Sequence, residues 1–459
     1  MSDRASLHDP QRIDDLLTRA IEAATGEGGE VEATYHATDA ALTRFANSRI
    51  HQNVAEHDAT LRLRVIRDGR TGVAGTNRLD EEGIRAAATR AIEIAARSAA
   101  NPDGAPLALP DGATRPEIGY VAATAAADPE LRAAGASAVI AAADDANLEA
   151  SGAFTTEVGT LAVANSAGVR SRQMVTQARL LTVMMGDNGA SGYAHAFGTD
   201  VREIDPAAVG EEAAARGRST ANGIDLPAGD YDVVLDEYAV ANLLEYASLV
   251  SFGALAVEEG RSFMSLGERV MGDNVTIWDD GQDPSGIPSP IDFEGVAKRR
   301  VDIISGGIAT GLVHDSATAR RAGTESTGHA LPQPNTSGPI AWNLFMAPGS
   351  ATPGTLLAGI KRGLWVTRFH YVNIVHPKKG ILTGMTKDGT FLIENGEVVG
   401  PVRNLRFTQS VPEAFSRIDA IGTATRLVGA DYTGVHCRVP AVRIRGFTFT
   451  GATAAEEPA

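Results

Sequence analysis

The segment Ala59-Thr60-Leu61-Arg62-Leu63-Arg64-Val65 alternates apolar and polar residues without a break. Successive side chains of a strand point to opposite faces, so this period of two predicts a strand with one buried face. Asp68-Gly69 follows as a turn signal, and Gly72-Val73-Ala74-Gly75 resumes a short strand. On either side of these strands the period changes to 3.6. Upstream, Ile13, Leu16, Leu17, Ala20, Ile21 and Ala24 form one helical stripe. Downstream, a helix starts near Asp80, with Leu79 and Ile84 placed as a hydrophobic staple, and continues through Ala87, Ala88, Ala91, Ile92 and Ala95. Helix, strands, helix in that order predict an α+β region.

The same punctuation opens three segments: Asp9-Pro10, Asp128-Pro129 and Asp205-Pro206. Asp caps a helix, and Pro suits the first turn, where a backbone N–H has no partner. The Ala-rich helix from Pro129 and the stretch Phe154–Val163 extend the N-terminal half. A break falls at Asn222-Gly223 and Pro227-Ala228-Gly229-Asp230. After it we expect one helix, Asp236–Val250, then short β-rich runs at Asn274–Trp278, Val301–Ile304, Gly380–Leu382, Phe391–Ile393, Val398–Val402 and Val442–Phe449. Asn395-Gly396 is a hairpin turn between two of them. Short strands at this spacing predict a barrel-like or folded-sheet domain. The expected organisation is an N-terminal α+β domain (1–125), a connecting helix/strand region (126–225), a β-rich C-terminal domain (226–451) and a tail (452–459), frayed over Thr453–Ala459.

Composition narrows the function. Among 459 residues, Lys+Arg 41 against Asp+Glu 57 gives −16, a balance that repels phosphate and argues against nucleic acid as a partner. Apolar residues at 43% and charged residues at 21% are ordinary for a globular chain and exclude wholesale disorder. A single cysteine, Cys437, excludes an internal disulfide framework and any four-cysteine metal site. Met1-Ser2-Asp3-Arg4 opens no apolar signal segment, and no run reaches the roughly 20 apolar residues that cross a bilayer. The expected location is cytoplasmic, with no membrane partner.

A water-activating metal site needs about three protein ligands. No two of the ten histidines lie four or five apart on a helix. His51 and His57 are six apart, as are His370 and His376, the latter just before Pro377. His370, His376, His436 and Cys437 either converge in space or are ordinary surface and half-buried residues. Asp292-Phe293-Glu294-Gly295 either supplies acid–base groups or hard-cation ligands, or caps turns like other loop carboxylates; Asp279-Asp280 and Glu258-Glu259 pose the same choice. Glu245, set among Leu243, Leu244 and Ala247, faces a cleft, snorkels to solvent or pairs with an arginine.

Several motifs occur together in order. Arg44-Phe45-Ala46-Asn47-Ser48-Arg49-Ile50-His51-Gln52 follows Glu30-Val31-Glu32-Ala33, and Leu63–Gly72 with Thr76-Asn77 comes next. Asn165-Ser166-Ala167-Gly168-Val169 stands mid-chain. The C-terminal half has Glu259-Gly260-Arg261-Ser262-Phe263, Leu266-Gly267-Glu268, Asp292–Val296, Ser326-Thr327-Gly328-His329-Ala330, Ile360–Leu364 and Glu394–Glu397. In this joint order the chain resembles the TldD/TldE (PmbA) metallopeptidase family over about residues 10–450. The resemblance implies an α+β N-terminal region, a barrel-like β-rich C-terminal domain, and a heterodimer that hydrolyses or trims flexible or modified peptides. One subunit of such a pair carries zinc on a His-Glu-x-x-x-His helix, with a cysteine further on.

The corresponding helix here reads Leu243-Leu244-Glu245-Tyr246-Ala247-Ser248-Leu249-Val250, with no histidine at either histidine place. A lone glutamate does not replace two imidazoles on zinc, and Cys437 does not match the spacing of the ligand cysteine. The resemblance is therefore to the ligand-free TldE/PmbA-type subunit. It implies no catalytic or metal-binding residue in this chain, zinc in a TldD-like partner, and a role in shaping the cleft and holding peptide at a strand edge. The cleft candidates are Glu245, Tyr246, Arg261, Ser262 and His370. The competing readings are a stand-alone metallohydrolase using the dispersed His/Cys set, and a non-catalytic homodimeric protein-binding adaptor.

Overall fold

The computed structural model describes residues 7–25, 29–101, 104–112, 117–429 and 433–452; the expected tail Thr453–Ala459 and Met1–Arg4 lie outside them. The N-terminal half runs α1 (Pro10–Thr25), β1 (Glu30–Ala46), β2 (Arg49–Arg67), β3 (Arg70–Thr76), α2 (Glu81–Arg97), a one-turn α3 (Ala122–Ala125), α4 (Pro129–Asp145), β4 (Glu149–Asn165), β5 (Arg170–Met185), β6 (Ser191–Gly198) and α5 (Pro206–Thr220). Its six strands form one antiparallel sheet in the order β3-β2-β1-β4-β5-β6. The predicted caps form: Asp80 accepts from the Gly83 N–H, Asp128 from that of Leu131, and Asp205 from those of Ala207 and Ala208. These fix where α2, α4 and α5 begin.

This half is a structural repeat, helix–three strands–helix twice over, with the two copies joined where β1 pairs β4. Each copy turns at an Ala-Asn-Ser, Ala46–Ser48 and Ala164–Ser166. The Ser48 N–H donates to the Ala150 carbonyl and its hydroxyl accepts from the Ala150 N–H; likewise the Ser166 N–H donates to the Val31 carbonyl and its hydroxyl accepts from the Val31 N–H. Each copy thus clasps the first strand of the other. The mid-chain motif Asn165–Val169 runs from the last residue of β4 through the turn to β5. The third strand of each copy carries a glycine under the second helix. A Cβ on Gly72 would stand 2.0 Å from the Ala91 carbonyl oxygen, and one on Gly192 2.0 Å from that of Ala213.

Alternation sorts the two faces of this sheet. Ala33, Tyr35, Leu61 and Leu63 pack under α1 and α2, while Phe45, Phe154, Leu180 and Ala194 pack under α4 and α5. The other face is covered by the C-terminal half: Leu161 and Val163 meet Ile291, Val175 meets Ile287 and Leu427, and Tyr193 joins the largest core. The sheet is buried on both faces rather than one, so Arg64, on the polar alternation of β2, is only 2% exposed.

The C-terminal half contains β7 (Gly229–Leu235), α6 (Glu237–Ala247) running into a π turn (Ser248–Phe252), α7 (Ala254–Glu258), β8 (Ile277–Asp279), β9 (Val301–Ser305), β10 (Ile308–Ala309), α8 (Ser316–Ala322), β11 (Asn343–Met346), α9 (Pro353–Leu357), β12 (Arg362–His376), β13 (Ile381–Glu394), β14 (Glu397–Pro401), β15 (Leu405–Ser410), α10 (Val411–Phe415), β16 (Ile418–Gly429) and β17 (His436–Ala452). All eleven strands belong to one mixed sheet. It curls because β17 pairs both β15 and β7, so the pairings β7-β12-β13-β15-β17 lead back to β7. Phe369, Phe407, Phe447 and Phe449 share the apolar core of this half with α6. Two of the short runs expected from sequence merge into one longer strand, Ile381-Leu382 and Phe391–Ile393 both belonging to β13 with Gly380 just before it, whereas Val301–Ile304 lies in the separate β9.

Candidate functional site

Helix α6 lies within the C-terminal core, with Tyr238, Leu243 and Leu244 almost wholly buried. Asp236, at its N-cap, makes no side-chain cap bond. Its carboxylate instead accepts from Arg216 Nη2 at 3.0 Å and from Trp365 Nε1 at 2.7 Å. Burial pushes its pKa up to about 6, against the pull of Arg216 and Trp365. The Tyr238 hydroxyl accepts from Arg426 at 2.7 Å and bonds the His195 backbone at 3.1 Å. Arg426 and Arg216 both reach Glu212, at 3.0 Å each. The first turn of α6 is thus anchored to β6 and α5 of the N-terminal half.

Glu245 is buried. It accepts from Asn242 Nδ2 at 3.4 Å and from the Thr433 hydroxyl at 3.2 Å. Two of its partners are thus an amide and a hydroxyl, and its burial rules out snorkelling to solvent. Asn242 also accepts from the Phe369 N–H at 3.2 Å, which ties α6 to β12 beside His370. His370 is half-buried opposite Met385, its ring 4.3 Å from that of Tyr371. Tyr246 packs, partly buried, against the main core. Arg261 pairs with Glu259 and donates to the Ser337 carbonyl at 3.3 Å. The Ser262 hydroxyl donates to the Ser251 carbonyl at 2.8 Å and accepts from the Met264 N–H at 2.9 Å, pinning the π turn to the segment after α7. Glu245 and the strand of His370 therefore meet through Asn242, whereas Arg261 and Ser262 are engaged in local structure. Asn242 was missed because nothing in its sequence setting distinguishes it from an ordinary helix surface residue.

The dispersed set does not assemble. His436 and Cys437 are neighbours on β17, so their side chains leave opposite faces of the strand. His370 stands opposite Met385 and His376 opposite Ile381, four residues apart along β13, roughly 13 Å. Burial raises the Cys437 thiol pKa well above its ordinary value, which makes it a core residue rather than a nucleophile. Burial, with Arg179 and Lys298, pushes His436 down to about 4. Among the described residues no three His, Cys, Asp or Glu side chains gather as metal ligands.

A second polar cluster crosses the junction of the halves. Arg64 holds Glu32, its register partner on β1, through two bonds of 2.9 and 2.8 Å. Asp292 accepts from the backbone N–H groups of Glu294, Val296 and Ala330, which is the turn-capping reading of this loop. Burial nevertheless pushes its pKa up to about 6. Glu294 accepts from the Ser316 N–H at 3.0 Å, while its buried Oε1 has no hydrogen-bond partner among the described residues. Burial and the neighbouring Asp292 push Glu294 up to about 8. Further in, Asp279 bonds His329 Nε2 at 2.8 Å and accepts from the Asn343 N–H at 2.7 Å, and Lys298 reaches Asn343 Oδ1 at 3.1 Å. These groups are buried and fasten loops to one another. Asp280 caps its own turn through the Gln282 N–H, and Glu258 pairs with Arg321.

Two packed halves, a helix-backed six-stranded sheet and a curled mixed sheet around α6, make an α+β chain. Models of one family match both halves in order: PmbA/TldA metallopeptidase domain 1 over residues 31–95 and the PmbA/TldA metallopeptidase C-terminal domain over residues 228–451. The chain belongs to the PmbA/TldD metallopeptidase family. It is 24% identical over 426 residues to the metalloprotease PmbA of Escherichia coli O157:H7, covering 89% of this chain and 91% of that one. A metalloprotease of Methanothermobacter thermautotrophicus is 26% identical over 204 residues, 44% of each chain, so the match spans less than half the length of that relative. The crystal structure of TldE from Thermococcus kodakarensis superposes with a TM-score of 0.85 at 19% identity, over 96% of this chain and all of that one, which establishes the shared fold.

The family implies a metal, and the side chains of α6 do not suit one. With Glu245 as the glutamate of His-Glu-x-x-x-His, the imidazole places are Leu244, wholly buried, and Leu249, packed against the core. Aliphatic carbon offers zinc no lone pair. Glu245 is itself bonded to Asn242 and Thr433. Among the described residues, no helix is long and apolar enough to cross a membrane.

Proposed function

We propose that this chain is the TldE/PmbA-like subunit of a heterodimeric zinc metallopeptidase that hydrolyses or trims flexible or modified peptides. It shapes the cleft and holds the peptide, with Glu245, Tyr246, Arg261, Ser262 and His370 as the candidates for that surface. A TldD-like partner with a His-Glu-x-x-x-His helix carries the zinc and its activated water. The observation that carries this reading is the pair Leu244, buried on α6, and Leu249, packed against the core from the π turn that follows, apolar side chains at the two places where the metal-bearing subunit would have histidine. Family membership supports the peptidase class, and the acidic balance supports leaving nucleic acid out of the proposal.

The test is co-expression with a His-Glu-x-x-x-His homologue, followed by peptide hydrolysis assays on the purified complex and on this chain alone. We expect a stable complex that cleaves unstructured peptides and a chain that is inactive by itself. Turnover by this chain at a purity that excludes the homologue would contradict the proposal.

A further inference from the structure

A cavity of about 760 Å³ opens between the β5–β6 turn, the end of α5 and the β13–β15 ladder. That is within the range of small-molecule and peptide pockets, roughly 300–1,000 Å³. Its polar groups divide into engaged and unengaged. Asp388 lines it, but both carboxylate oxygens are taken, one by Arg368 Nε at 2.6 Å and the other by the Ser191 hydroxyl. Arg403 is paired with Asp225 at 3.1 Å. Lys387 and Arg406 remain. Arg406 stands opposite Met385 on the paired strand, and Lys387 is two residues on from Met385, so the two cations are diagonal neighbours across β13 and β15. Neither makes an ion pair among the described residues. In a chain with 57 acidic and 41 basic residues, two adjacent cations left without a carboxylate run against the composition.

We propose that this cavity binds a peptide carboxylate, held between Lys387 and Arg406. The proposal rests on the peptide reading above and adds to it the chemical group that is recognised and the place where it sits. A carboxylate would complete the charge balance of the cavity, because Asp388, the one lining carboxylate among the described residues, is already neutralised. Arginine presents a donor fork that matches a carboxylate, and lysine adds a second point charge. The net charge of −16 repels anions at long range. Any preference for a charged peptide end must therefore come from local cations. Two sources supply the same chemistry, a C-terminal carboxylate and an acidic side chain.

The experiment measures fluorescence anisotropy on the full chain with three N-terminally labelled peptides of one uncharged sequence. One ends in a free carboxylate, one in an amide, and one in an amide with a single internal Glu. A carboxylate-bearing peptide should bind about tenfold more tightly than the uncharged amide, about 1.4 kcal/mol, and added salt should shrink the difference. The double variant Lys387→Gln/Arg406→Gln should abolish it while retaining the parent's thermal midpoint. Tight binding of the free-ended peptide alone assigns the site to the terminus; equal tight binding of the Glu peptide assigns it to carboxylates of either source. Equal affinity for all three, or a difference that survives in the double variant, overturns the carboxylate site and leaves the peptide reading standing. If none of the three binds, the peptide reading falls, and this proposal falls with it.

Discussion

The Glu32–Arg64 pair holds two full charges out of water, each 2% exposed, on neighbouring strands. Desolvation of such a pair nearly offsets its attraction, so its removal as a unit is mild, but breaking it leaves a buried charge alone. Arg64→Met should therefore lower stability by about 3–5 kcal/mol in denaturant titrations, and adding Glu32→Gln should restore part of the loss. Glu294 makes a second residue-scale case. Its folded pKa of about 8 exceeds the ordinary 4.5 because burial and Asp292 disfavour the anion. The folded state thus binds the proton more tightly than the unfolded chain. The stability this provides is complete below pH 4.5 and is lost as pH rises through about 8. Glu294→Gln should flatten the stability profile between pH 5 and 8 and raise stability at pH 8 by on the order of 1–3 kcal/mol. An unchanged slope would refute this. Arg62 and Arg64 both read from sequence as a solvent-facing row. Only the second is enclosed, bonded to Glu32 on the next strand and to the Ala105 carbonyl, 41 residues on, which a strand's period cannot register.

At the scale of elements, α1, α2 and the Asp-capped starts were legible because local chemistry decides them: a 3.6 stripe, a cap and a proline. Strands β5 and β6 were not. Arg170–Met185 mixes Arg, Gln and Thr with apolar residues because both faces of its sheet are covered, one by helices and one by the C-terminal half. The repeat was also missed, since its marks are a few residues, Ala-Asn-Ser and a glycine, spaced far apart. The clasp predicts matched effects: Ser48→Ala and Ser166→Ala should each cost about 1 kcal/mol, since each hydroxyl accepts one backbone N–H of the opposite copy. In α6 the missing histidines were legible, but the partnership of Glu245 with Thr433, 188 residues away, was not. Leu244→Ala should destabilise the chain by about 2–5 kcal/mol, as expected for a leucine with no exposure in a packed core. A negligible change would mean that the position is open, as a ligand place would be.

For the whole molecule, the six-stranded sheet joins two layers: its helices on one face and the curled sheet of the C-terminal half on the other. Charged contacts across that junction, Arg216 to Asp236 and Arg426 to Glu212, tie the first turn of α6 to the N-terminal half. The halves should therefore unfold in one transition, and Arg64→Met should shift that transition without splitting it. The central claim is that this polypeptide contributes shape and grip to a peptidase while another chain supplies the metal. It is tested most directly by measuring zinc in the two subunits after they are separated from the purified complex. The account predicts one zinc per partner chain and only trace zinc in this one, with Leu244 and Leu249 standing where ligands would be. Stoichiometric zinc retained by this chain on its own would contradict it.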